Sequence, residues 1–250
     1  MLRPGPDHGT GTVPLVPPRV EYVPRNEWTR VVPAKIGELA ANVRVSVVVP
    51  ARDCQAELDR TLAALSEQSY PGYLLDVILV DDASHPPLRL PELRPGSTEL
   101  LQLGDAGVHG SGRARAAGAA LAEGDVLLFL DADMIADRHH VEAHLRWHHV
   151  LADAVVLGAK EFVDVDGIDP LQVRDAVRKG SLEELLSGRE HVNHTWLDRY
   201  INKTGGLTRA GGDLFTAVVG ASVSVPRRLY HECGGFGAFD RRGIVDTEFG

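Results

Sequence analysis

Three features of this 250-residue chain predict an α/β fold, with a mostly parallel sheet covered by helices on both faces. Runs rich in apolar and β-branched residues recur at 45–49, 75–80 and 126–130, as in strands buried on both sides. Segments of helical periodicity stand between them. Each run ends on or near carboxylates, and open α/β sheets bind ligands outside the carboxyl ends of their strands.

In chain order, residues 1–40 carry Pro4, Pro6, Pro14, Pro17, Pro18, Pro24 and Pro33 and predict an extended arm ahead of a domain over 41–250. Val20, Tyr22, Val23 and Trp28 are apolar enough to lie against that domain. The first strand is expected at 44–49, stopped by Pro50 and followed by Ala51-Arg52-Asp53. A helix follows over about 55–68, with Leu58, Leu62 and Leu65 on one face. The second strand, 75–80, closes on Asp81-Asp82-Ala83-Ser84, which completes a right-handed βαβ unit. A third strand is expected at 99–103, a glycine-rich loop at 104–112 and an alanine-rich helix at 113–122.

The strand at 126–130 runs into Asp131-Ala132-Asp133. If the chain stays extended, both carboxylates point the same way, because side chains alternate with a period of two. Paired hard oxygens suit Mg²⁺ or Mn²⁺ shared with the phosphates of a nucleotide. Two solvated aspartates at a strand end would carry the same pattern.

Further on, 138–149 predicts a helix and 154–160 a strand. His140, His144 and His148 fall on one helical face. With no HExxH acid and no third-ligand pattern, they are expected as partly exposed helix histidines rather than zinc ligands. The pattern weakens over 164–214, where Ser181-Leu182-Glu183-Glu184 reads as a capping box opening a short helix. Residues 191–212, with Trp196, Tyr200 and two glycine pairs, are expected as a mobile loop with aromatic platforms for a second substrate. A surface loop with packed aromatics fits equally. A strand within 217–225, a short helix begun by Pro226 and a turn at Gly234-Gly235-Phe236 complete the pattern, before Asp246-Thr247-Glu248 at the end.

Composition narrows the function classes. Hydrophobic residues make up 44% and charged residues 24%, as in ordinary soluble domains. A net charge of −9 with no basic run argues against nucleic acid as the main partner. No apolar run approaches the roughly 20 residues of a membrane helix, and the start Met1-Leu2-Arg3 opens no signal peptide. Cys54 and Cys233 have neither CxxC nor zinc spacing, so a cytoplasmic setting is expected, peripheral attachment to a membrane being compatible with it. The dinucleotide fingerprint GxGxxG, the phosphate loop GxxxxGK[ST] and the GxSxG elbow are all missing.

Taken in order, Val45-Ser46-Val47-Val48-Val49-Pro50-Ala51-Arg52-Asp53, Val80-Asp81-Asp82-Ala83-Ser84, Ala114-Arg115-Ala116-Ala117-Gly118, Phe129-Leu130-Asp131-Ala132-Asp133, Gly234-Gly235-Phe236 and Asp246-Thr247-Glu248 resemble the blocks of a family-2 glycosyltransferase of GT-A, Rossmann-like fold, over residues 44–250. The resemblance implies a donor half at 44–135 and an acceptor half at 136–250. The donor is a nucleotide-diphosphate sugar, a UDP-sugar being favoured, and the acceptor an unknown hydroxyl. Pro50, Ala51 and Asp53 would line the base pocket, and Asp81 or Asp82 would bond base and ribose. Arg115 matches the arginine of the family's Ala-Arg-Asn block, and Asp131 and Asp133 its Mn²⁺ or Mg²⁺ and diphosphate motif. Asp246 matches the catalytic base, with Glu248 as a second candidate, for transfer with inversion.

Three departures accompany the match. Ala116 replaces the usual asparagine, Val245 replaces the glutamate before the base, and the chain stops at Gly250 where family members continue, so a fragment is expected. Two further readings follow. One is a truncated or non-catalytic sugar-nucleotide-binding module. The other is a sugar nucleotidyltransferase, whose glycine-rich basic loop Ala51-Arg52-Asp53 matches badly. Retaining transfer is a variant of the main reading, decided by the anomeric product.

Overall fold

All seven residues of strand β1 (Val45–Ala51) are buried, which demands a sheet neighbour on each edge and a helix layer on each face. In the computed structural model, which describes residues 23–105, 107, 109–192, 196–209, 211–218 and 220–236, both are present. Strands β2 (Leu75–Asp81) and β4 (Val126–Leu130) flank β1 in parallel, and β3 (Thr98–Gln102) runs parallel outside β2. Beyond β4 the sheet becomes mixed. There β8 (Ser222–Pro226) pairs antiparallel with β4, and the two-residue β5 (Val156–Leu157) closes the edge, giving the order β3-β2-β1-β4-β8-β5. A small separate sheet pairs β6 (Phe162–Val163) with β7 (His191–Val192).

Alternation sorts the strand side chains between two layers. Val45, Val47 and Val49 share a cluster with Leu58, Leu62 and Leu65 of α1 (Gln55–Leu65) and with Val141 and Leu145 of α3 (His140–His148). On the other face Val48, Ile78, Val80 and Phe129 meet Ala114 and Ala119 of α2 (Ser111–Leu121) and Tyr230 of α7 (Arg227–Glu232). Each fully buried valine or leucine contributes about 1.5–3 kcal/mol. Close approach of α2 to the sheet depends on Gly118, where an added Cβ would lie 2.4 Å from Val48 Cγ1. Proline does not stop β1 as expected. Pairing with β4 ends at Val48, whereas pairing with β2 continues to Ala51, so Pro50 stands where one of the two ladders has already finished.

The second half departs further from expectation. Helix α1 ends at Leu65, and Gln68 beyond it accepts from Val141 N (3.0 Å) and donates to Asp137 O (2.7 Å), tying α1 to α3. Helix α4 (Pro170–Lys179) lies in the weakly patterned segment. A true capping box opens it: Asp169 accepts from Gln172 N at 2.9 Å, and Gln172 Oε1 accepts from Asp169 N at 3.0 Å. Val173 and Val177 of α4 pack on Ala64 of α1, and Arg178 forks onto Glu67 at 2.7 and 3.0 Å. Helix α5 (Leu182–Leu186) forms as expected, but Ser181 makes no side-chain cap bond. Inside the segment expected as a loop stands α6 (Trp196–Lys203), and the strand expected at 154–160 shrinks to β5.

Between Trp28 and Asn42 the chain runs along α3 and its C-cap, His149. Trp28 meets Trp147 edge-on at 5.7 Å and donates its indole N–H to Gly206 O at 2.6 Å. Gly37 N donates to Glu142 Oε1 at 2.6 Å. Residues 1–22, most of the expected arm, lie outside the described residues. Among the described residues no helix is long and apolar enough to cross a membrane.

Candidate active site

The ends of β1 and β2 are stitched together by Asp53, which sits in left-handed backbone at φ 51°. Its N–H donates to Ser84 Oγ at 2.9 Å, and its Oδ1 accepts from His85 N at 2.7 Å. That backbone bond is the main reason its carboxyl is held below the ordinary range. The Asp53 side chain remains 53% exposed, beside the buried Pro50 and Ala51.

Asp81 and Asp82 have different surroundings. Asp81, 2% exposed, accepts from Ser84 N at 2.9 Å and Leu88 N at 3.0 Å, one bond on each oxygen. Both acceptors therefore fix the loop after β2. Asp82 accepts from Gly110 N at 2.7 Å and from Arg113 Nη1 at 2.6 Å. Arg113 also donates to Gly104 O at 2.8 Å, so one guanidinium ties the glycine-rich segment to the end of β2. Sequence reasoning missed Arg113; its signal was a second arginine two positions before Arg115.

At the end of β4 the chain does not stay extended. Met134 N donates to Asp131 O at 3.2 Å in a turn, so the turn and not strand alternation brings the two carboxylates together. Asp131 N in turn donates to Ala221 O at 3.1 Å, just ahead of β8. Arg115, 2% exposed, reaches out of α2 to Asp131 Oδ1 at 2.6 Å. Its other nitrogen donates to Ser111 Oγ at 3.1 Å, and the Phe236 ring lies 5.3 Å from its guanidinium carbon. Asp133 is exposed to solvent and pairs with no cation among the described residues. Partial desolvation of its carboxyl, then the Asp131 charge, push its pKa up, while Lys160 acts in the opposite direction. Asp246 and Glu248 lie outside the described residues.

Two of the three histidines of α3, His144 and His148, are buried rather than partly exposed, and His140 is half-buried. His144 Nδ1 lies 2.9 Å from Ser224 Oγ and its Nε2 3.1 Å from Ser222 Oγ. His148 Nε2 is 2.8 Å from Ser224 Oγ, and His140 Nε2 3.1 Å from Ser222 Oγ. They bind α3 to β8, and burial pulls the pKa values of His140 and His144 down. Gly158 leaves room for this contact: a Cβ there would sit 2.0 Å from Ser222 Oγ and 2.9 Å from His144 Nε2. Among the described residues no cluster of three or more His, Cys, Asp or Glu has the arrangement of a metal centre. Beside the histidines is a cavity of about 10 Å³, room for roughly one water, walled by Lys160, Leu197, Ala217, Ala221 and Ser222.

The glycosyl transferase family 2 profile matches residues 46–205. A curated relative, the amylovoran biosynthesis glycosyltransferase AmsB of Erwinia amylovora, is 39% identical over 97 residues, covering 37% of this chain and 31% of that protein. Among solved structures, the mannosyltransferase PcManGT of Pyrobaculum calidifontis, in complex with GDP-Man and Mn²⁺, superposes with a TM-score of 0.53 at 18% identity. That match covers 84% of this chain and 51% of that one. Residues 1–349 of TarS from S. aureus, in complex with UDP-GlcNAc, give 0.52 at 18% identity over 82% and 52%. The chain thus spans about half the length of these structures and about a third of the curated relative. Fold and profile agree on a GT-A architecture, and the chain belongs to glycosyl transferase family 2.

Proposed function

We propose that the chain moves a sugar from a nucleotide-diphosphate sugar, a UDP-sugar being favoured, to an acceptor hydroxyl. The observation that carries this reading is the Asp131–Asp133 pair at the end of β4, with Arg115 satisfying one carboxylate and the other open to solvent. Two hard carboxylate oxygens, one already paired, fit Mn²⁺ or Mg²⁺, whose remaining positions phosphate and water would fill. When bound, such an ion neutralises charge building on the departing diphosphate.

The chain's own residues do the rest. Residues 44–135 form the donor half and 136–250 the acceptor half, behind an arm at 1–40. Pro50, Ala51 and Asp53 line the nucleotide base, and Asp82, through Gly110 N and Arg113, holds the glycine-rich segment beside it. Asp81 holds the loop behind them instead, its oxygens being spent on backbone N–H groups. Arg115 fixes the orientation of Asp131 and adds positive charge beside the diphosphate. Asp246, or Glu248 in its place, takes the acceptor proton as the acceptor oxygen bonds to the anomeric carbon and the sugar–phosphate bond breaks. One displacement inverts that carbon.

Release of nucleoside diphosphate from UDP-, GDP- and dTDP-sugars with Mn²⁺ or Mg²⁺ tests the reading. Metal-dependent release from one donor, lost in Asp133→Ala and reduced in Asp246→Asn, is expected. Metal-dependent binding of a diphosphate without release would favour a binding module, the reading that Val245 supports. If UDP, GDP and dTDP all fail to bind, the donor chemistry is wrong although the fold is right.

A further inference from the structure

We propose that Lys160 is a second protein cation for the donor's diphosphate, opposite Arg115; this rests on the nucleotide-sugar reading above. Lys160 follows β5 and walls the same small cavity as Ala221 and Ser222. Those two residues are the ones that meet the end of β4, through Ala221 O on Asp131 N and the Ser222–Leu130 register. Lys160 therefore approaches the two aspartates from the β8 side, whereas Arg115 approaches from α2.

Its ammonium makes no ion pair or hydrogen bond among the described residues. It stands 5.5 Å from the centroid of the Phe162 ring, which steadies a cation without neutralising it. A half-buried lysine whose charge acts on Asp133 without forming an ion pair among the described residues is a compact point charge ready for an incoming phosphate.

Charge balance supports the same assignment. Arg115 cancels Asp131, and a divalent ion leaves Asp133 with one positive charge in excess. A sugar-linked diphosphate brings two negative charges, and Lys160 is the cation that returns the cleft to neutrality. As the sugar–phosphate bond breaks, the diphosphate gains a further charge, so the lysine helps more in the transition state than before it. A carboxylate on the sugar would satisfy the same ammonium, so the probe has to separate the two.

Titration of UDP and GDP with Mn²⁺ into the wild type, Lys160→Gln and Lys160→Arg, beside competition by uridine and guanosine, makes that separation. The expected result is about a tenfold or greater loss of diphosphate affinity in Lys160→Gln, less than a twofold change for the nucleoside, and recovery of most affinity in Lys160→Arg. Equal diphosphate binding by wild type and Lys160→Gln overturns the assignment. So does an equal loss for diphosphate and nucleoside, which would mean a structural role. A loss confined to UDP-glucuronate, absent with UDP, moves the contact to the sugar and also overturns it. A wild-type chain that binds no nucleoside diphosphate removes the donor reading itself, and with it the role of Lys160.

Discussion

At the end of β2, Asp81 and Asp82 are buried and together accept from Ser84, Leu88 and Gly110 N–H groups and from Arg113. At the end of β4, Asp131 and Asp133 have one paired cation between them among the described residues, Arg115, and the second carboxylate faces water. Residue type and topological position are the same in both pairs. What differs is the path of the chain that follows. After β2 it returns across the strand end and offers its backbone donors; after β4 it turns once and leaves toward α3. A carboxylate buried with a donor on each oxygen holds a loop, and one open to water can hold a ligand.

The largest expected effect lies at the open pair. Asp133→Ala should lower metal-dependent release of nucleoside diphosphate by about 10²-fold or more, with the urea midpoint unchanged. Full turnover in that variant would break the comparison. Asp81→Asn should do the opposite, because an amide places a donor against a backbone N–H. A stability loss of about 2–3 kcal/mol, read as a lower urea midpoint at unchanged slope, is expected while residual turnover keeps its metal dependence.

The buried histidines extend the comparison to bases. The unfolded chain takes up protons near pH 6.5 that folded His140 and His144 refuse, their pKa values being lowered first by burial. Stability should therefore be full above that pH and fall below it, by up to about 1.4 kcal/mol per pH unit for each histidine. Urea titrations between pH 7.5 and 5.5 measure this, and a flat profile would show that the contact with β8 tolerates protonation. Smallest are the caps. Asp169→Ala should cost about 1 kcal/mol and Ser181→Ala less than about 0.5 kcal/mol, both read from thermal melts.

Much of the fold is legible in the residues, for reasons that are local. β1 and β2 are mainly apolar runs and β4 a continuous one, and Leu58, Leu62 and Leu65 mark α1 by spacing alone. Arg115, Asp131 and Asp133 stand out in short blocks of sequence, and Arg115 and Asp131 meet at 2.6 Å. The caps show why identical signals diverge. Asp169 enters its helix from extended backbone (φ −85°, ψ 160°) and can reach the N–H three residues on, whereas Ser181 enters at ψ 29° and cannot. Burial of His144 was invisible because its partners, Ser222 and Ser224, lie 78 and 80 residues away. The roles of Asp81 and Asp82 were hidden likewise, since an aspartate's letter does not say which donors the next loop will bring.

The antiparallel position of β8 also has a consequence during synthesis. β4 ends at Leu130 and its outer partner begins only at Ser222. At ribosomal speeds, on the order of ten seconds separate the two. Through that interval the five apolar residues of β4 present an unpaired ladder on one side, a template for pairing with another chain. A chain ending before β8 should accordingly aggregate at concentrations where the full chain stays dispersed, and equal dispersal would mean that another segment guards the edge. However stable the completed sheet, the yield of folded protein depends on how well that one edge is shielded until residue 222 arrives.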